Sequence, residues 1–260
     1  MALTHKIIEA GPLRIEALYN RGSRYDSPRQ RAEKRKATSE VQWRLNRKLS
    51  WQRLELRLAV NFPTPGSAWV IVLTFDDAHM PKDRKTAQRR FKYFRDKIFA
   101  AYKAAGLPEP VIFWAPESLS AASGRWHFHI VISNTGADLD IIRSCWIYGS
   151  EIEAEKLRVD ARKNHETLAR YMTKESREIQ DYRDKPGLHN WSCTANAKQP
   201  ETETFTVPDD FKLTAPDGST VLIDERRQTE WASWHVLKYR LGGAAFDRPP
   251  RARRRRPRKR

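Results

Sequence analysis

The spacing of apolar residues changes several times along this 260-residue chain, and each change marks an element. Ser27-Pro28 offers a cap and a first-turn proline, after which RQRAEKRKATSEVQWRLNRKL runs from Arg29 to Leu49 without glycine or proline. That pattern predicts a basic helix. Leu54, Leu56, Leu58 and Val60 then alternate with Glu55, Arg57 and Ala59, a strand period that the same residues could also absorb as more helix. We read it as a strand. After the turn PTPGS (Pro63 to Ser67), the aromatic and β-branched run from Trp69 to Phe75 predicts a buried central strand. Lys85 to Ala105 predicts a helix, with Phe91, Phe94, Ile98 and Tyr102 at three- or four-residue spacing and a stop at Gly106-Leu107-Pro108.

Two short strands follow, PVIFWAPE (Pro110 to Glu117) and GRWHFHIVIS (Gly124 to Ser133), separated by a polar loop. Beyond Asn134-Thr135-Gly136, the spacing of Leu139, Ile142 and Cys145 predicts a helix over Ala137 to Trp146, then a short strand over Glu153 to Val159 and a helix over Asn164 to Gln180. Prolines and Gly218 divide Trp191 to Ile223 into strand-like pieces, and Glu225 to Leu241 reads as a last amphipathic helix. The order predicts an α+β fold, a central antiparallel sheet with flanking helices. It divides the chain into a basic helical extension (1–60), a main domain (61–245) and a disordered Arg-rich tail (246–260).

Charge narrows the class of partner. The formal charge is +17, and RPPRARRRRPRKR (Arg248 to Arg260) carries nine basic groups and no acid, leaving +8 on the rest. A body and tail that are both basic point to a polyanion, nucleic acid first, with Arg251, Arg253, Arg254, Arg255, Arg256, Arg258, Lys259 and Arg260 as phosphate contacts. Cys145 and Cys193 are the only cysteines and have no metal-type spacing, so a reducing cytoplasm is the expected compartment. The chain has no secretory segment and no run of 18 apolar residues, so no membrane partner is expected.

The chemistry gathers at WHFHIVIS. In an extended strand His127 and His129 face one way while Trp126, Phe128 and Ile130 face the other, so two imidazoles stand roughly 6–7 Å apart at Cβ on one surface. Glu117 ends the preceding strand ten residues earlier, and antiparallel pairing would bring its carboxylate beside them. Two nitrogens and one carboxylate leave open positions on a metal, as a catalytic ion requires. Arg125, next to the histidines, is placed to meet a phosphate. A nucleophile is the next need. Two tyrosines have a lysine three residues on, but Lys185 precedes Pro186 and is biased away from helix, whereas Tyr171 and Lys174 share a face of the predicted helix over 164–180. Tyr171 is therefore the candidate nucleophile, with Lys174 lowering its pKa or holding the phosphate.

An apolar strand with LTF (Leu73 to Phe75), then H-hydrophobic-H (His127, Phe128, His129), then Y-x-x-K (Tyr171 to Lys174), in that order, resembles the HUH endonucleases that initiate rolling-circle replication. The resemblance covers about Trp69 to Lys174. It implies a ferredoxin- or RRM-like sheet and a divalent ion, Mn²⁺ or Mg²⁺, on His127, His129 and Glu117. It also implies attack by Tyr171, assisted by Lys174, on single-stranded DNA at an origin, possibly a hairpin, giving a 5′-phosphotyrosine and a free 3′-OH. Glu175 stands where a second tyrosine would lie one turn on, so a single-tyrosine mechanism is implied unless Tyr182 contributes. There is no phosphate-binding loop of the helicase type, so a host helicase, polymerase and single-strand-binding protein are the implied partners, in the cytoplasm of a bacterium carrying a plasmid or phage, with no small-molecule cofactor. Left open beside this reading are an HUH transposase or relaxase, a metal-dependent hydrolytic nuclease, and a basic nucleic-acid-binding module without catalysis.

Overall fold

The computed structural model describes residues 3–20, 40–118, 125–136, 138–160, 164–173, 190–228 and 233–242. In chain order the first elements are β1 (Leu3–Ala10), β2 (Leu13–Asn20), α1 (Glu40–Asn61), β3 (Ala68–Thr74) and α2 (Arg84–Ala104). Then come β4 (Ile112–Ser118), β5 (Trp126–Ser133), α3 (Asp138–Cys145), β6 (Ile152–Lys156), α4 (Glu166–Met172) and β7 (Ser192–Cys193). β8 (Glu201–Val207), β9 (Thr220–Gln228) and β10 (Ser233–Arg240) complete the described elements. The fold is α+β. The chain forms two compact units, one of residues Arg24–Glu201 and one made from Met1–Ser23 together with Thr202–Arg260.

The unit Arg24–Glu201 holds an antiparallel sheet in the order β6-β3-β5-β4-β7. Its central strand β5 is buried along almost its whole length, so both faces must be covered by apolar partners. On one face Ile71, Leu73, Phe128, Ile130 and Ile132 pack with Phe91, Phe94 and Ile98 of α2 and Ile142 of α3. On the other, Phe113, Ala115 and Val131 pack with Trp51, Leu54 and Leu58 of α1 and with Ala169 and Met172 of α4. Alternation along β5 thus feeds two different cores.

Residues 54–60, read above as a strand, continue α1 to Asn61. The reason is visible in the packing: Trp51, Leu54 and Leu58 recur at helical spacing and fill one core together, which outweighs the two-residue alternation of the leucines. The rest of the predicted helix, before Glu40, lies outside the described residues. The expected helix and strand near 137–146 and 153–159 become α3 and β6, and the expected helix over 164–180 is described as α4, with 174–180 outside the described residues.

The second unit corrects three further expectations. Residues 1–60 are not a helical extension throughout, because LTHKIIEA and LRIEALYN form a hairpin turning at Gly11, whose φ of 58° favours glycine. The described residues from Glu225 to Arg240 are not helical either: they fall in β9 and β10, and the sheet order is β8-β1-β2-β10-β9. β10 pairs with β2 along its length, and that ladder overrides the helical spacing of the segment. The main domain therefore does not run unbroken over 61–245, since the chain passes into the second unit after Glu201. Leu18, Leu213, Leu237, Tyr239 and Leu241 form its core. The tail over 246–260 lies outside the described residues.

Candidate metal centre

Register places the candidate ligands. In the β4/β5 ladder Glu117 is opposite His127 and Ala115 is opposite His129, so the carboxylate and both imidazoles share one face of the sheet. The small Ala115 leaves room above His129 for the glutamate to reach across. Glu117 Oε2 lies 2.7 Å from His129 Nε2 and 3.2 Å from His127 Nε2, and the two Nε2 atoms are 3.1 Å apart. All three residues are buried, with relative exposures of 8% for Glu117, 5% for His127 and 2% for His129. They are a group of His and carboxylate residues able to hold a metal ion, with donor atoms within 4.8 Å of one another. Burial pushes the Glu117 carboxyl up, but the two imidazoles bonded to it outweigh that and hold it well below the usual carboxylate range. An ionised oxygen between two ring nitrogens is a donor set that could hold a metal ion.

His127 Nδ1 is buried and has no hydrogen-bond partner among the described residues. Its ring is therefore held through Nε2 by Glu117 and by packing, including an edge-to-face contact with His129 at 4.8 Å between centroids, and not by an acceptor on the Nδ1 side.

Tyr171 reaches the centre from the last turn of α4. Its ring centroid lies 4.8 Å from that of His129, and at 46% relative exposure it is open to solvent where the triad is not. Ala169 and Met172, buried against the α1 face, seat the helix and leave Tyr171 at the rim. A cleft of about 400 Å³ runs here between Val72, His129, Glu153, Leu168 and Tyr171. A second, of about 320 Å³, shares Val70, Glu155, Leu168 and Tyr171 with it.

Sequence reading found His127, His129, Glu117 and Tyr171, and the structure brings these four together. It missed Glu153, which lies opposite Val72 and so in the same cross-strand row as His129. The signal was present in Ile152-Glu153-Ala154-Glu155, whose alternation puts both glutamates on the histidine face. Arg125 is at the start of β5, half exposed, with its guanidinium 2.9 Å from Asp77, so its charge is shared with an exposed carboxylate. Lys174, Tyr182 and the tail residues Arg251 to Arg260 lie outside the described residues. Among the described residues no helix is long and apolar enough to cross a membrane. No protein-family model, curated protein or solved structure matches the chain.

Proposed function

We propose that this protein nicks and rejoins single-stranded DNA through a covalent phosphotyrosine link, as an HUH-type initiator of rolling-circle replication. The observation that carries the reading is the placing of a solvent-open tyrosine ring against His129 at the rim of a buried Glu117/His127/His129 donor set. A divalent ion bound there supplies Lewis-acid polarisation of the scissile phosphate. Tyr171 gives up its hydroxyl proton to solvent and forms the new oxygen–phosphorus bond, the bond from phosphorus to the 3′ oxygen breaks, and that oxygen takes a proton from solvent and leaves as a free 3′-OH while the phosphoryl group stays on the tyrosine. Joining is the reverse step, in which a 3′-OH displaces the tyrosine. Glu117 stays ionised and orients both imidazoles, and Lys174, three residues after Tyr171, serves as the assisting cation. The basic tail gathers the polyanion through counterion release. Origin DNA, a bacterial cytoplasm, and a host helicase, polymerase and single-strand-binding protein complete the proposal.

The test incubates the protein with labelled single-stranded DNA from its replicon's origin, with and without Mn²⁺, beside Tyr171→Phe, on a denaturing protein gel. A metal-dependent labelled band at the protein's mass, missing in the variant, is the expected result. Cleaved DNA with no band would instead make the centre a hydrolytic nuclease. Binding without cleavage would leave a non-catalytic basic module.

A further inference from the structure

The end of the sheet that carries the metal centre also carries an aromatic patch with no role in it. Tyr93 and Tyr148 have ring centroids 6.4 Å apart, and Tyr93 is 46% exposed. The Arg90 guanidinium lies 5.3 Å from the Tyr148 ring and the Lys97 ammonium 5.0 Å from the Tyr93 ring. Neither cation has a carboxylate partner among the described residues, while the nearby acids are engaged elsewhere: Asp76 by His79, Asp77 by Arg125, and Asp96 by Lys92 and Arg95. Two tyrosine rings carrying cations that no carboxylate neutralises, with Arg90 also donating to the His79 carbonyl, make a surface for a planar, anionic partner.

Its position is fixed relative to the centre. Tyr148 packs on Phe75 and Trp146 on the α2/α3 side of the sheet. Its carbonyl accepts from Asp76 N at 2.9 Å, and Trp146 Nε1 donates to the Thr74 carbonyl at 3.1 Å. Gly149 lets this loop lie on the end of β3, because a Cβ there would meet the Thr74 oxygen at 2.1 Å. Thr74 is the register partner of His127, and His127 of Glu117. The patch and the triad are thus tethered to the same end of one strand.

We propose that Tyr93 and Tyr148 are a stacking platform for bases of the single strand that flanks the scissile phosphate, with Arg90 and Lys97 meeting its phosphates. The proposal rests on the nicking reading only in taking single-stranded DNA as the strand held. The full-length protein is titrated, in EDTA, into a fluorescent dT oligonucleotide and into a duplex, at low and high salt. Because Tyr148 also supports the core, the variants are made at the exposed Tyr93.

Tyr93→Ala is expected to weaken single-strand binding roughly 5- to 150-fold. The loss persists at high salt, where the purely ionic contacts fade, and Tyr93→Phe restores binding. Single-strand affinity within twofold of the parent protein at both salts, or an equal loss on duplex, would overturn the platform. The adduct assay is run in parallel. Tyr93-dependent binding with no adduct removes the nicking reading and keeps the platform, whereas a normal adduct with Tyr93-independent binding removes the platform alone.

Discussion

Glu117 balances its buried charge against two imidazoles, so an ion held there would couple to local stability through one residue. Mn²⁺ should raise the melting temperature of the parent protein, by the equivalent of about 2.7 kcal/mol at 100 times the dissociation constant. The rise should vanish in Glu117→Ala and His129→Ala, and calorimetric titration should show Mn²⁺ affinity falling at least tenfold in each. A rise that survives in both variants would place the ion elsewhere. Tyr171 offers the opposite pattern. Its ring is half exposed, so Tyr171→Phe should leave stability within about 0.5 kcal/mol by denaturant melts and Mn²⁺ affinity unchanged, while no covalent adduct forms.

At the scale of elements, α2 and α3 are joined by one buried carboxylate. Asp138 accepts from the Tyr102 hydroxyl at 2.6 Å, from the Thr135 amide at 2.7 Å, from the Gly136 amide at 3.0 Å, and from the Thr135 hydroxyl. Burial pushes its carboxyl up, and these donors together hold it below its usual value. A depressed folded-state pKa means the stabilisation is full above about pH 4 and is lost as pH falls through the folded value. Asp138→Asn should cost about 1–3 kcal/mol near neutral pH by urea melts, and the gap should close on acidification. A gap that widens in acid would refute the assignment. Phe128, stacked on Phe91 at 4.5 Å in the core beneath α2 and α3, should cost about 3–5 kcal/mol when cut to alanine.

The same scale explains what could be read from sequence. His127 and His129 were legible because strand alternation is local, and Glu117 because only a short loop separates its strand from theirs. Leu54 to Val60 misled, since leucines at every second position satisfy a strand pattern and only the cores packed on Trp51, Leu54 and Leu58 decide for helix. β10 was illegible for another reason: its ladder partner is β2, with Ser233 N bonded to the Asn20 side chain across 213 residues, and no local pattern announces such a neighbour.

For the whole molecule, charge is the property on which all regions act together. Removing Arg248 to Arg260 takes away nine of the basic groups. The slope of log affinity against log salt for single-stranded DNA should fall by up to ~0.7 for each tail cation that meets a phosphate, while adduct formation at saturating DNA stays intact. An unchanged slope would place the electrostatic contact wholly on the body. The split origin of the second unit has a consequence for synthesis. β1 and β2 leave the ribosome early, but β10, the strand that closes the free side of β2, follows 213 residues after Asn20, roughly 10–40 s later at ordinary translation speeds. For that interval the nascent hairpin shows a bare hydrogen-bonding edge to its neighbours, so a polysome translating this message is where the chain is most exposed to strand-mediated aggregation.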